Sequence, residues 1–363
     1  MIQGRSMTRY KIYDRLTLEL RDSGVVRDYN IDLDYLTNNN STMKLVDESR
    51  GFKGDILAIS EGVSLIVLGV ITAVDNTELR IQFKHMKELF NDDILNVFKW
   101  TGLLDRKFDA VQGLRVLIEY GFINTPDSLR RLPLTIRTFG QNLAAVWTDD
   151  SDTIDLLEFI DWAFDHYNVY LAFDIDFANK RIVVDIIKND TEGLMLKDNI
   201  KLSKPEFDSN ELPRENRALL FNKYTGVIAN SFFLLQNNTL TTNQAHALRL
   251  YPVSTRYVEW DEIDAIREGY TQEELAFSEI GGQIYNHHVQ VRLAKKQTMV
   301  PARRFNYGDQ VKIIYEGRSY DTIFTGIKFR KDDPFYICIF GKARIDFTDR
   351  MKIFNQRQYA RRQ

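Results

Sequence analysis

Between Val63 and Val74 the chain reads VSLIVLGVITAV without a single charge, although 27% of all residues are charged. A run this apolar has to leave water, either into a bilayer or into a core. A membrane-spanning helix needs ~20 apolar residues, more than this run supplies. Its Val and Ile content favours a strand. Glu61-Gly62 reads as a tight two-residue turn, with Gly supplying the positive φ. GDILAIS and VSLIVLGVITAV are then the two arms of a hairpin. Asp75-Asn76-Thr77 turns the chain again, and ELRIQF returns as a third strand. There Leu79, Ile81 and Phe83 alternate with Glu78, Arg80 and Gln82, the period of a half-buried strand.

The same grammar recurs near the C-terminus, in GDQVKIIYEGRSYDTIFTGIKFRKDDPFYICIFGKARIDFTD over 308–349. Gly54-Asp55 matches Gly308-Asp309, and Glu61-Gly62 matches Glu316-Gly317. Beyond the hairpin Gly69, Asp75, Phe83, Phe90 and Asp92 fall opposite Gly326, Asp332, Phe340, Phe347 and Asp349 without a gap. Leu79, Ile81 and Phe83 lie opposite Tyr336, Cys338 and Phe340, so the buried face is kept. Convergence on common hairpin signals is the alternative to duplication. The order of both turns and the shared Phe-x-Asp ending favour duplication. The expected fold class is α+β and predominantly antiparallel β, with two β-barrel domains and inserted α/β and helical segments.

Expected boundaries follow from texture. Residues 1–100 form the first barrel domain, and 101–218 an inserted α/β domain. The second barrel is assigned to 219–260 and 285–350, with a helical insertion at 261–284 interrupted near Gly269. A basic tail occupies 351–363. Within the inserted domain a helix ends near Gly121, and a second spans 151–167 with Ser151 or Asp152 as N-cap. VYLAFDIDF and KRIVVDII form a hairpin around Ala178-Asn179. On it Val169, Leu171, Phe173, Ile175 and Phe177 share one face.

The formal net charge of -3 argues against a bulk electrostatic grip on nucleic acid. The one cysteine, Cys338, excludes an internal disulfide and any multi-cysteine zinc site. MIQGRSMTRYKIYD has no apolar centre and predicts no signal peptide. No phosphate-cradling loop, nucleophile elbow or HExxH helix is present. His85, His166, His246, His287 and His288 show no metal-ligand spacing. Asp174 and Asp176 share a strand face but read as solvated. Asp155, Glu158, Asp161 and Asp165 fall at helical spacing, where acidic residues near a helix start are favoured in any case. Ser41-Thr42-Met43-Lys44 matches SxxK without its partner motifs. No catalytic, cofactor or metal residue is assigned, and the sixteen repeat positions named above (Asp75 and Asp332 apart) stand as a structural signature.

A duplicated barrel with helix-containing insertions resembles the baseplate hub proteins of bacteriophage tails. These include the hub of contractile-tailed phages and the N-terminal structural region of siphophage tail-associated lysins. The GD…EG…GVI hairpin at 54–71 resembles a first tail-tube-like domain. YNVYLAFDIDFANKRIVVDI (167–186) resembles the inserted α/β domain, and residues 273–293 and 305–327 the second tube-like domain. The resemblance implies a homotrimer, a virion component made in the host cytoplasm. Its six similar units would form a pseudo-hexameric ring. Such a ring joins a six-fold tail tube or distal tail ring to a three-fold spike, fibre or receptor-binding protein, with DNA only in transit. Siphophage relatives continue into a lysin or fibre region, whereas this sequence stops after its second barrel, so no enzymatic role is expected. A tail-associated cell-wall hydrolase and a monomeric receptor-binding module are the alternatives.

Overall fold

A computed structural model describes residues 7–141, 144–189, 194–196, 203–208, 215–251, 253–295, 305–315 and 317–343. The chain is mainly antiparallel β with a few helices. Twelve strands make one large sheet. Six come from the N-terminal region: β1 (Thr8–Tyr13), β2 (Leu20–Asp34), β3 (Ser41–Leu45), β4 (Ile56–Glu61), β5 (Ser64–Asp75) and β6 (Arg80–His85). Six follow later: β7 (Leu194–Leu196), β8 (Ser203–Asp208), β9 (His288–Ala294), β10 (Gln310–Tyr315), β11 (Arg318–Arg330) and β12 (Phe335–Phe340).

The first six pair in the order β1-β4-β5-β6-β3-β2, and β1 also pairs with β2, which closes the ring. The second six pair as β7-β10-β11-β12-β9-β8, the same spatial order for the same chain order. Two differences stand out. β7 runs parallel to β10 where β1 is antiparallel to β4, and no pairing joins β7 to β8 among the described residues. The two sets are joined by pairing between the last residues of β2 and of β11, from Asn30↔Arg330 to Asp34↔Gly326. Their inward side chains, among them Ile12, Leu57, Ile59 and Phe83 with Val311, Ile313, Phe324 and Phe340, form one continuous core.

The chain between β6 and β7 forms a middle layer, packed on the outer side of β4 and β5 through Ile56, Ala58 and Val70. Its three-stranded sheet runs Val169–Asp176, Arg181–Lys188, Leu134–Phe139, the last two parallel. Helices Ala110–Ile118 and Leu156–Tyr167 contribute to the same core. Asp109 caps the first helix and Asp155 the second, each accepting two backbone N–H groups. The second helix therefore starts later than 151, because Thr153–Asp155 is held as a short strand against Asp93–Leu95. Ile154, Ile160 and Phe164 are buried in the layer's core. Phe177, expected on the buried face of the hairpin, is 54% exposed at its tip.

A second correction concerns the second barrel. The strands Glu215–Asn222, Ile228–Leu234, Leu240–Thr241 and Ser254–Trp260 form a separate four-stranded sheet. Helices Glu262–Glu268 and Gln272–Ile280 cover that sheet, burying Ala218, Leu220, Val258 and Trp260. Gly269 ends the first of them in the left-handed conformation. Residues 219–260 thus belong with 261–284 in one unit inserted between β8 and β9. Conversely, β7 and β8 fall in 194–208, inside the span assigned to the middle domain.

The middle of the apolar run is flanked by core on both sides. In β4 Leu57 and Ile59 face the ring interior, while Ile56 and Ala58 face the middle layer. In β5 Ile71 faces inward and Val70 outward. Both faces are buried there, so alternation disappears.

Candidate functional site

The repeat signature centres on two turns. Gly54 and Gly308 both have positive φ, 93° and 78°, which favours glycine. The N–H of Gly54 donates to Ile71 C=O at 2.8 Å, and that of Gly308 to Phe324 C=O at 2.8 Å. Return bonds run from Ile71 N–H to Asp55 C=O and from Phe324 N–H to Asp309 C=O, both 2.9 Å. The Asp55 carboxylate accepts the Phe52 N–H at 2.8 Å, and that of Asp309 the Asn306 N–H at 2.8 Å. A buried Asp next to a left-handed Gly thus ties each strand start to the long strand that follows.

Their surroundings differ. Asp55 faces Arg21 at 3.1 Å. Burial pushes its carboxyl up from the ordinary range, against the Phe52 N–H and the Arg21 charge. Asp309 instead accepts from Asn189 Nδ2 at 2.8 Å, and Asn168 Nδ2 donates to Gly308 C=O at 3.0 Å. The second turn is therefore fastened to the middle layer.

Pairing beyond the turns shows which sequence matches coincide in space. Ile71↔Phe83 has its counterpart in Phe324↔Phe340, and each pair is followed by a bulge at a threonine, Thr72 and Thr325. Phe83 and Phe340, and likewise Ile81 and Cys338, thus hold corresponding places, all four fully buried. Gly69 and Gly326 do not. Gly69 pairs with Leu57 and His85, whereas Gly326 pairs with Ile339 and Asp34 and corresponds to Ala73. Ile71 and Phe83 lie 12 residues apart and Phe324 and Phe340 16, so the β11–β12 hairpin has longer arms and the two strands cannot align without a gap. The glycines also serve different ends. A Cβ on Gly69 would meet the Phe83 ring at 2.6 Å, and one on Gly326 would meet Asp34 Cα at 2.7 Å. The second is where the two strand sets touch.

The hairpin turns are offset as well. Glu61 pairs with Ser64, so the turn residues are Gly62 and Val63, not Glu61-Gly62. Tyr315 pairs with Arg318, so the other turn contains Gly317. A bulge at Ile59/Ser60 gives the first hairpin its extra residue. Glu316, Phe347, Asp349 and the tail 351–363 lie outside the described residues. Phe90 is buried in the middle core, and Asp92 is exposed and paired with Arg130 at 2.9 Å. The threonine bulge was missed in sequence; VITAV against IFTGI, aligned on Thr, is the signal that would have found it.

The acidic helix face has structural partners. Asp155 is the N-cap. Lys87, buried just after β6, pairs with Asp161 and donates to Tyr35 C=O. Lys342, buried just after β12, pairs with Asp165 at 3.5 Å and donates to Phe164 and Asp165 C=O. One helix thus takes a buried lysine from each strand set, one turn apart. Glu158 N–H binds the cap, and its side chain is exposed.

The remaining polar residues are likewise dispersed. His85 is enclosed by Tyr35, Phe173 and Tyr307, and burial pushes its pKa down to about 3. Burial likewise holds His166 at about 4. His287 binds the Thr322 hydroxyl at 2.7 Å. Asp176 caps its own turn through Asn179. Among the described residues no three His, Cys, Asp or Glu side chains are placed to hold a metal ion. No helix among them is long and apolar enough to cross a membrane.

No protein-family model and no curated protein matches the chain. Solved structures do match. Prophage tail protein gp18 from Listeria monocytogenes EGD-e is 12% identical, with 97% of this chain and 99% of that one covered and a TM-score of 0.53. The tail protein from Neisseria meningitidis MC58 is 10% identical over 92% of this chain and 96% of its own, at 0.52. The 43 kDa tail protein of prophage MuSo2 from Shewanella oneidensis is 11% identical over 92% and 97%, at 0.51. The chain has the fold of these phage tail proteins.

Proposed function

We propose that the chain is a structural hub of a phage tail tip or baseplate, with no catalytic role. In this reading the two six-stranded sets arose by duplication, and three copies place six such units around an axis. The ring meets a six-fold tube or distal tail ring on one side and a three-fold spike or fibre on the other. Its lumen passes DNA, and the mildly acidic chain suits release of phosphate over retention. The single observation that carries the reading is the pair of matching turns, each with a left-handed Gly, a buried Asp and the same three hydrogen bonds, set in strand sets of the same order. The whole-length likeness to tail proteins supports it. Two similar units per chain are what a three-fold assembly needs to meet six-fold symmetry.

The test is the assembled tail tip imaged without imposed symmetry. Three copies around an open axis are expected. A single peripheral copy, or an axis lined by arginines, would defeat the proposal.

A further inference from the structure

The two hairpins share a backbone plan but not a tip. At the first, Val63 is 104% exposed and Leu65 48% exposed, with Phe177 of the middle layer 54% exposed. Val63, Leu65 and Phe177 line one groove of about 580 Å³ that runs along the outer face of β1 and β4. Arg9 and Lys11 line it too, both exposed. The cross-strand neighbours of Arg9 are Val25 and Ser60, and those of Lys11 are Ser23 and Ala58, none of them charged. The surface therefore combines an apolar end with two cations that have no cross-strand counter-charge. At the second tip, Gly317 and Ser319 stand where the first has Val63 and Leu65.

That difference carries a symmetry argument. A contact repeated by every unit of a pseudo-six-fold ring has to be built from features both strand sets possess. A feature present in one set only can be used once per chain. We propose that the β4–β5 tip and its adjoining groove form the docking surface for a different protein that meets each chain once, through an apolar surface rimmed with carboxylates. This rests on the hub reading and assigns the surface to the three-fold partner rather than to ring closure. Exposed apolar patches next to charged rims mark such contacts. The carboxylates are called for by Arg9 and Lys11, which steer and orient an acidic partner.

A cysteine placed at Val63 tests it. Cys338 is buried, and burial pushes its thiol up to about 12, so Val63→Cys takes a thiol-linked photo-crosslinker alone. In assembled tail tips the expected adduct joins this chain to a different protein; an adduct between two copies of this chain overturns the proposal. A second arm combines Val63→Ser with Leu65→Asn, the first fully and the second half exposed. Tips are expected to keep three copies in the ring while occupancy of the partner falls more than about tenfold. Arg9→Glu with Lys11→Glu should lower it as well. Loss of the ring in the tip variant, or full partner occupancy, refutes the assignment. Absence of a ring from unmodified tips is a separate outcome: it removes the hub reading, and with it the once-per-chain argument.

Discussion

The cross-strand pairs Ala58↔Leu68 and Lys312↔Asp321 occupy the same place in two hairpins. In the first, Ala58 is buried, and Leu68 packs on the middle layer. In the second the pair lies in solvent, an ion pair at 3.7 Å. The inward residues are alike, Leu57 and Ile59 against Val311 and Ile313. One backbone plan thus carries two outer faces, and the composition of each outer face follows from what covers it. The charge-free run is not a property of the hairpin. It marks the hairpin that has a layer on its back.

The sharpest way to break this comparison is to give the first hairpin the second one's outer face. Ala58→Lys with Leu68→Asp puts two charges under the middle layer. The expected loss is several kcal/mol, enough to unfold a marginally stable domain. Thermal or denaturant melting measures it; a variant that melts like the parent would mean that the layer does not seal this face. Next come the corresponding phenylalanines. Phe83→Ala and Phe340→Ala should each cost ~3–5 kcal/mol, in urea unfolding monitored by circular dichroism. A near-zero value for either would remove it from the core.

The lysine pairs give a smaller effect. Asp165→Asn leaves Lys342 buried with only the two carbonyls as partners, at a cost of up to about 3 kcal/mol. Adding Lys342→Met should recover much of that loss, and a double variant worse than Asp165→Asn alone would contradict the account. His85, two residues beyond Phe83 as Lys342 is beyond Phe340, supplies a pH test. Its pKa falls from 6.5 to about 3 in the fold. A depressed histidine contributes stability above pH 6.5 that is lost as pH falls toward 3. His85→Phe should therefore flatten the acid limb of a melting-temperature profile. An unchanged limb would assign acid sensitivity to other groups, His166 among them.

Sequence carried the inner face well and the connections poorly. Alternation identified Ile81, Phe83, Cys338 and Phe340 as inward because water exclusion imposes a period of two. It could not say that Glu215–Trp260 forms its own sheet, since a strand looks the same whichever sheet it joins. β7 and β8 are short and lie in a polar stretch around Pro205, so their pattern was too brief to read. Register failed where the backbone departs from regularity. The bulges at Thr72 and Thr325, the bulge near Ser60 and the longer arms of the β11–β12 hairpin each shift the count. The helix start was read too early because Ser151 and Asp152 are also good caps, and only the strand at Thr153–Asp155 excludes them.

The converse exchange isolates coverage from backbone plan, and it has the smallest expected effect. Lys312→Ala with Asp321→Leu copies the first hairpin's outer pair onto the second. Both positions are in solvent, and an exposed ion pair is worth at most about 1 kcal/mol, so the change in stability should stay within about 0.5 kcal/mol. What changes is the surface: an apolar pair now faces water. Self-association should rise with concentration in sedimentation, while the melting midpoint of the dilute chain stays put. If coverage sets the residues, the two exchanges differ by several kcal/mol although they swap the same two places. If the backbone plan set them, both would cost alike.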